Sequence, residues 1–67
     1  MIRINGENFS FVKLSSLSLL DYLEKEGFNR NYLVVEINET IIPKKNYAEQ
    51  FFHDGDCVEI ISFVGGG

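Results

Sequence analysis

The period of the apolar positions changes along this chain, and each change marks an element. Residues 2–5 (Ile-Arg-Ile-Asn) alternate apolar and polar, the period-two pattern of a half-buried strand. Asn5-Gly6 follows, two residues that tolerate positive φ, and residues 8–13 alternate again with Phe9 and Phe11 on one face. The segment predicts an N-terminal β-hairpin. The period then lengthens. Leu19, Tyr22, Leu23 and Glu26 fall at i, i+3, i+4 and i+7, with Leu20 alongside. Ser18 is an N-cap with Asp21 three residues later, a short capping box, and Gly27 is a helix stop. The pattern predicts a helix over 19–26 with Leu19 and Leu23 in the core.

Period two returns at residues 32–37, with Leu33, Val35 and Ile37 on one face. Asn38-Glu39-Thr40 reads as a tight turn, and Ile41-Ile42 as a short strand ended by Pro43, which has no N–H to give a ladder. A turn of helix is expected near Tyr47–Phe51, and His53-Asp54-Gly55-Asp56 reads as another turn. Residues 57–64 form the last strand and run directly into Gly65-Gly66-Gly67. Its helix-facing side carries Val58, Ile60 and Val64, with Ser62 among them. The other side carries Cys57, Glu59, Ile61 and Phe63. If Glu59 marks solvent, Ile61 and Phe63 form an exposed apolar patch of the kind that docks partners; the alternative is that neighbouring strands cover them. An N-terminal hairpin, a helix and then more strands indicate an α+β fold: a mixed sheet of four to five strands with one main helix packed on one face. The division is residues 1–64 as the domain and 65–67 as a flexible tail.

Sixty-seven residues make one small domain with no room for a deep site between domains. The chain is 45% hydrophobic, too apolar for disorder. Ten acidic against six basic side chains give a net charge of −4, which argues against nucleic acid and against anionic membrane as partners. A single cysteine, Cys57, permits no internal disulfide and fits a reducing compartment. No apolar run approaches the ~18 residues of a membrane span, and no signal-peptide pattern is present. A cytoplasmic location is expected.

Reactive groups are sparse. His53 lies in a polar turn and reads as a solvated turn residue, Cys57 as a small hydrophobe opening a strand, and Asp54 and Asp56 only faintly as the start of a calcium loop. No metal site is expected. The glycine tail remains. Glycine weakens strands and makes a thin, mobile chain end. A frayed terminus or an added linker has the same composition. A thin tail also suits delivery of a C-terminal carboxylate through a narrow channel into another protein's active site. A free carboxylate is a poor electrophile, but adenylation supplies AMP as a leaving group, and a sulfur nucleophile can then form an acyl disulfide or a thiocarboxylate. A side chain at Gly67 would obstruct that approach.

These features together resemble the ThiS family, the sulfur carriers of thiamine biosynthesis. The resemblance spans essentially the whole chain: the Asn5-Gly6 turn, the capped helix from Ser18 through Leu23, Ile37-Asn38 to Ile42-Pro43, Asp54-Gly55-Asp56, and the closing Phe63-Val64-Gly65-Gly66-Gly67. It implies a ubiquitin-like β-grasp fold, with the first and last strands parallel in the middle of the sheet. It implies a protein co-substrate, not an enzyme, with no intrinsic cofactor. A ThiF-type adenylating enzyme would activate Gly67 with ATP and magnesium. Sulfur from cysteine, through a desulfurase, would yield the thiocarboxylate, and thiazole synthase (ThiG) would receive it. Gly66 and Gly67 are the implied reactive end; Gly65, Val64, Phe63 and Ile61 are the expected partner-binding residues. The competing readings are the small subunit of molybdopterin synthase, a protein modifier joined to lysines through the same tail, and a ubiquitin-like binding domain whose tail has no chemistry.

Overall fold

The computed structural model describes residues 1–63. Val64, Gly65, Gly66 and Gly67, and with them the expected 1–64/65–67 boundary, lie outside the described residues.

The N-terminal hairpin forms from β1 (Ile2–Ile4) and β2 (Glu7–Phe9), paired antiparallel with Ile4 opposite Glu7. Asn5 (φ 50°) and Gly6 (φ 85°) are both left-handed, as the two-residue type I′ turn requires. The strand expected over 8–13 stops at Phe9 instead. Because β1 is three residues long and Ile2 already pairs with Phe9, the ladder offers no further partners. Ser10 is extended, and Phe11–Leu14 coil into a single helical turn, α1, that buries Leu14.

The main helix, α2 (Leu19–Lys25), has the expected capping box: Ser18 Oγ accepts from the Asp21 N–H at 3.0 Å, and the Ser18 N–H donates to Asp21 Oδ2 at 3.4 Å. Two more of its free N-terminal donors, the N–H groups of Leu19 and Leu20, reach the carbonyls of Gln50 (2.6 Å) and Tyr47 (3.0 Å). The C-terminus closes in a Schellman motif: Gly27 is left-handed (φ 82°), the Phe28 N–H meets the Leu23 carbonyl at 2.8 Å, and the Gly27 N–H meets that of Glu24 at 3.1 Å.

A 3₁₀ turn (Arg30–Tyr32) leads into β3 (Leu33–Ile37), and a second type I′ turn at Asn38 and Glu39 returns as β4 (Thr40–Ile41). The helical turn expected near Tyr47–Phe51 occurs earlier, as a 3₁₀ turn at Lys44–Asn46 that starts directly after Pro43. Proline loses nothing at a turn entry, where its N–H would have no partner. Phe51 is extended and bridges to Ser18, because the helix start draws the 47–50 carbonyls toward it. Gly55 (φ 93°) then turns the chain into β5 (Cys57–Ser62).

The sheet order is β2-β1-β5-β3-β4. β5 lies parallel to β1 and antiparallel to β3, so the last strand occupies the centre, as the family resemblance implies. One face of the sheet packs against α2. Ile2, Ile4, Leu33, Val35, Ile37, Val58 and Ile60 meet Leu19, Tyr22 and Leu23 there, and Tyr22 and Phe52 stack edge to face at 5.6 Å. Burying such side chains is worth about 1.5–3 kcal/mol each, the main stabilising term in a domain without disulfides.

Candidate functional site

The site is built on the end of β5. β5 pairs with β3 from Val58 to Ser62 and with β1 at Cys57 and Val58, and its inward Val58 and Ile60 are buried. Two asparagines fix it further. Asn5 uses its side chain as an extra rung: Ile60 N–H donates to Asn5 Oδ1 at 2.7 Å, and Asn5 Nδ2 donates to the Ile60 carbonyl at 3.2 Å. Asn38 secures the strand start. Its Oδ1 accepts from the Cys57 N–H at 3.0 Å, its own N–H donates to the Cys57 carbonyl at 2.8 Å, and its Nδ2 donates to Asp56 Oδ1 at 3.0 Å. The buried Asp56 carboxylate also accepts from the His53 N–H at 2.8 Å. The Asn38 and Asp56 bonds fix the start of β5 and the Asn5 bonds fix it at Ile60. The strand register continues past Ser62, with the Phe63 N–H bonded to the Tyr32 carbonyl at 2.6 Å.

Sequence reasoning found these asparagines as turn formers and missed their second role. The available signal was that Asn, not Gly or Asp, stands at each first turn position: only its amide offers a donor and an acceptor together.

The face away from the helix is open. Ile61 is 48% and Phe63 53% exposed, so neighbouring strands leave the predicted patch uncovered. Ile41, the cross-strand partner of Glu36, is exposed, as is Tyr32 in the turn before β3, and Val34, the cross-strand partner of Ile61, is half-buried. The expected partner-binding residues Ile61 and Phe63 thus come together at the end of the central strand. Val64, Gly65, Gly66 and Gly67 follow them in sequence but lie outside the described residues.

Other candidates carry less. Cys57, read as a small hydrophobe, is an exposed free thiol, since it falls on the open face of β5. His53 is exposed, as a solvated turn residue should be. The Asp56 carboxylate is engaged by Asn38 and His53, and among the described residues no three His, Cys, Asp or Glu side chains gather to hold a metal ion. No helix among them is long and apolar enough to cross a membrane. Burial raises the Tyr22 hydroxyl above its ordinary pKa, with Glu26 and Glu7 adding to the rise. Burial likewise raises Tyr47, with the Val35 backbone opposing it. Both tyrosines belong to the core, not to the open face.

Known proteins place this arrangement. The uncharacterized protein ycf40 of Porphyra purpurea is 43% identical over 67 residues, 98% of this chain and 90% of that one. A thiazole synthase of Paramagnetospirillum magneticum is 39% identical over 64 residues, which cover 96% of this chain but 19% of that protein. The sulfur carrier protein ThiS of Bacillus subtilis is 34% identical over 67 residues and matches end to end. The crystal structure of the thiamine biosynthesis protein ThiS from Geobacter metallireducens superposes with a TM-score of 0.77 at 27% identity, covering 98% of this chain and 97% of that one. The ThiS family model matches residues 2–67. With the central parallel β1/β5 pair and its open, apolar exit face, these matches assign the chain: it belongs to the ThiS family.

Proposed function

We propose that this ThiS-family sulfur carrier presents the carboxylate of Gly67 to a ThiF-type adenylating enzyme and then carries sulfur there as a thiocarboxylate. The observation that carries the reading is the end of β5. A central strand, paired with β3 through Ser62, with β1 at its start, and clamped by Asn5 at Ile60, ends at Phe63 beside an exposed apolar patch, and Val64-Gly65-Gly66-Gly67 follow in sequence.

The chemistry divides between carrier and partners. ATP and magnesium belong to the adenylating enzyme, which joins AMP to the Gly67 carboxylate and releases pyrophosphate. A sulfur nucleophile derived from cysteine attacks the acyl carbon and displaces AMP: hydrosulfide gives the thiocarboxylate directly, whereas a persulfide gives an acyl disulfide that a second thiol cleaves to the thiocarboxylate and a disulfide. Gly65 and Gly66 serve as a tether that fits a narrow channel because neither has a side chain. Ile61, Phe63 and Val64 dock against the partner. The carrier acts as a co-substrate, and the bond-making groups reside on the enzymes it visits. Thiazole synthase is the acceptor in this reading. A thiazole synthase that contains a stretch homologous to this whole chain supports such a partnership, and it favours the thiamine branch over molybdopterin synthase.

The test is pyrophosphate release. The chain mixed with its adenylating enzyme, ATP and magnesium should release one pyrophosphate per carrier. A variant lacking Gly66 and Gly67 should release none while melting at the same temperature. Equal release from the shortened chain would overturn the role of the terminal glycines.

A further inference from the structure

Asn5 does more at its turn than the turn requires. A type I′ turn accepts Asn, Asp or Gly at its first position, since each tolerates positive φ. Of the three, only Asn carries a donor and an acceptor on one planar amide. Both are used on one residue of β5: Oδ1 accepts from the Ile60 N–H at 2.7 Å, and Nδ2 donates to the Ile60 carbonyl at 3.2 Å. That N–H belongs to the peptide unit before Ile60 and that carbonyl to the unit after it. A single amide bonded to both fixes the two peptide planes together.

The place of these bonds along β5 gives them weight. Strand pairing with β1 covers Cys57 and Val58, and the Asn5 N–H donates to the Val58 carbonyl at 2.9 Å. At Gly6 the chain turns away into β2. The Asn5 side chain therefore extends the β1 edge by two residues, to Ile60. Past Ile60, the backbone pairing of β5 among the described residues is with the β3 side: Ser62 stands opposite Leu33, and the Phe63 N–H donates to the Tyr32 carbonyl. Asn5 is thus the last hold on the other edge, one residue before Ile61 and three before Phe63.

We infer that Asn5 is a positioning residue for the reaction at Gly67: its grip on Ile60 sets the angle of the strand end, and so where the carboxylate arrives once the carrier is bound. The inference rests on the carrier reading proposed above and adds a residue to it. Seven residues lead from Ile60 to Gly67, at most about 25 Å of extended chain. At that reach a swing of about 10° at Ile60 moves the far end by roughly 4 Å. A misplacement of about 1 Å can cost about 100-fold in rate where reacting groups must be aligned. Adenylation makes that demand. A carboxylate oxygen of Gly67 must form its bond to the α-phosphorus of ATP as the bond from that phosphorus to pyrophosphate breaks.

Steady-state ATP–pyrophosphate exchange tests this, with the full chain as the varied substrate of its adenylating enzyme and magnesium present. Asn5→Gly keeps the turn and removes both bonds to Ile60. Its kcat should fall at least fivefold while KM stays within twofold of the parent. A merely structural role gives the opposite split, because a smaller folded fraction raises the apparent KM and leaves kcat unchanged at saturating carrier. Leu14→Ala, a core truncation in α1 outside the site, supplies that control and should keep the parent's kcat. Asn5→Asp retains the turn and the acceptor for the Ile60 N–H, so its kcat should lie between those of the parent and Asn5→Gly; a kcat equal to the parent's would count against the paired grip. A smaller fall for Asn5→Gly, or a loss confined to KM, would overturn the inference and leave the carrier reading standing. So would a Leu14→Ala kcat as low as that of Asn5→Gly, since lost stability would then account for both. A parent chain that supports no exchange would overturn the carrier reading and the inference with it.

Discussion

Asn5 offers a quantitative test of how the last strand is held. Its side chain makes two hydrogen bonds to the backbone of Ile60, at 2.7 and 3.2 Å, and its φ of 50° lies in the left-handed region. Asn5→Gly keeps the backbone at ease and removes only the two bonds, a loss of about 1–3 kcal/mol at ~0.5–1.5 kcal/mol each. Asn5→Ala removes the same bonds and keeps a Cβ in the left-handed region without the local hydrogen bonding that lets asparagine tolerate it, placing it roughly 1–2 kcal/mol below the glycine variant. A chain of this length carries roughly 3–10 kcal/mol in total at ~0.05–0.15 kcal/mol per residue, so the alanine variant should be visibly compromised. Urea unfolding gives the two differences, and hydrogen exchange at the Ile60 amide shows whether the opening is local. The expected order is parent, then glycine, then alanine, with faster Ile60 exchange in both variants. A glycine variant as stable as the parent would refute the clamp, and an alanine variant more stable than the glycine one would refute the backbone argument.

The β3–β4 turn gives the converse case: Glu39 has φ 69° without the tolerance of Asn or Gly, so Glu39→Gly should raise stability by up to about 1 kcal/mol in the same urea assay. Asp56→Ala leaves the Asn38 amide and the His53 N–H without their acceptor and should lower stability by about 2–4 kcal/mol, measured by chemical denaturation at neutral pH. Alkaline titration should expose the core tyrosines. Tyr22 and Tyr47 have folded-state pKa values raised above 10.0, so the native state keeps protons that the unfolded chain has lost. Their stability contribution is therefore complete below about pH 10 and declines as pH rises through the folded-state values. Tyr22→Phe should make that decline shallower; an unchanged slope would remove Tyr22 from the explanation.

Local chemistry made much of this fold readable. Asn5-Gly6, the Ser18/Asp21 cap and Gly27 each specify one backbone geometry, and each occurs as the sequence predicts. The alternation at Leu33, Val35 and Ile37 likewise gave the buried face of β3. Two errors share a cause. The alternation that places Phe9 and Phe11 on one face predicts a strand over 8–13, yet strand length depends on a partner, and β1 is too short to supply one. The helical turn after Pro43 was displaced because the carbonyls of Tyr47 and Gln50 are recruited by the start of α2, a long-range demand that no local window contains. At the site, Ile61 and Phe63 were legible from the face they share with Glu59 once solvent was assigned to it. The bonds from Asn5 to Ile60 were not, because they depend on the pairing of two strands that are distant in sequence.

Intact-mass spectrometry tests the central claim most directly. The full chain, incubated with its adenylating enzyme, ATP, magnesium and a cysteine-derived sulfur source, should gain the mass of one oxygen-to-sulfur exchange, and fragmentation should place it at Gly67. An unchanged mass, under conditions in which the same enzyme thiolates a control carrier, would contradict the account.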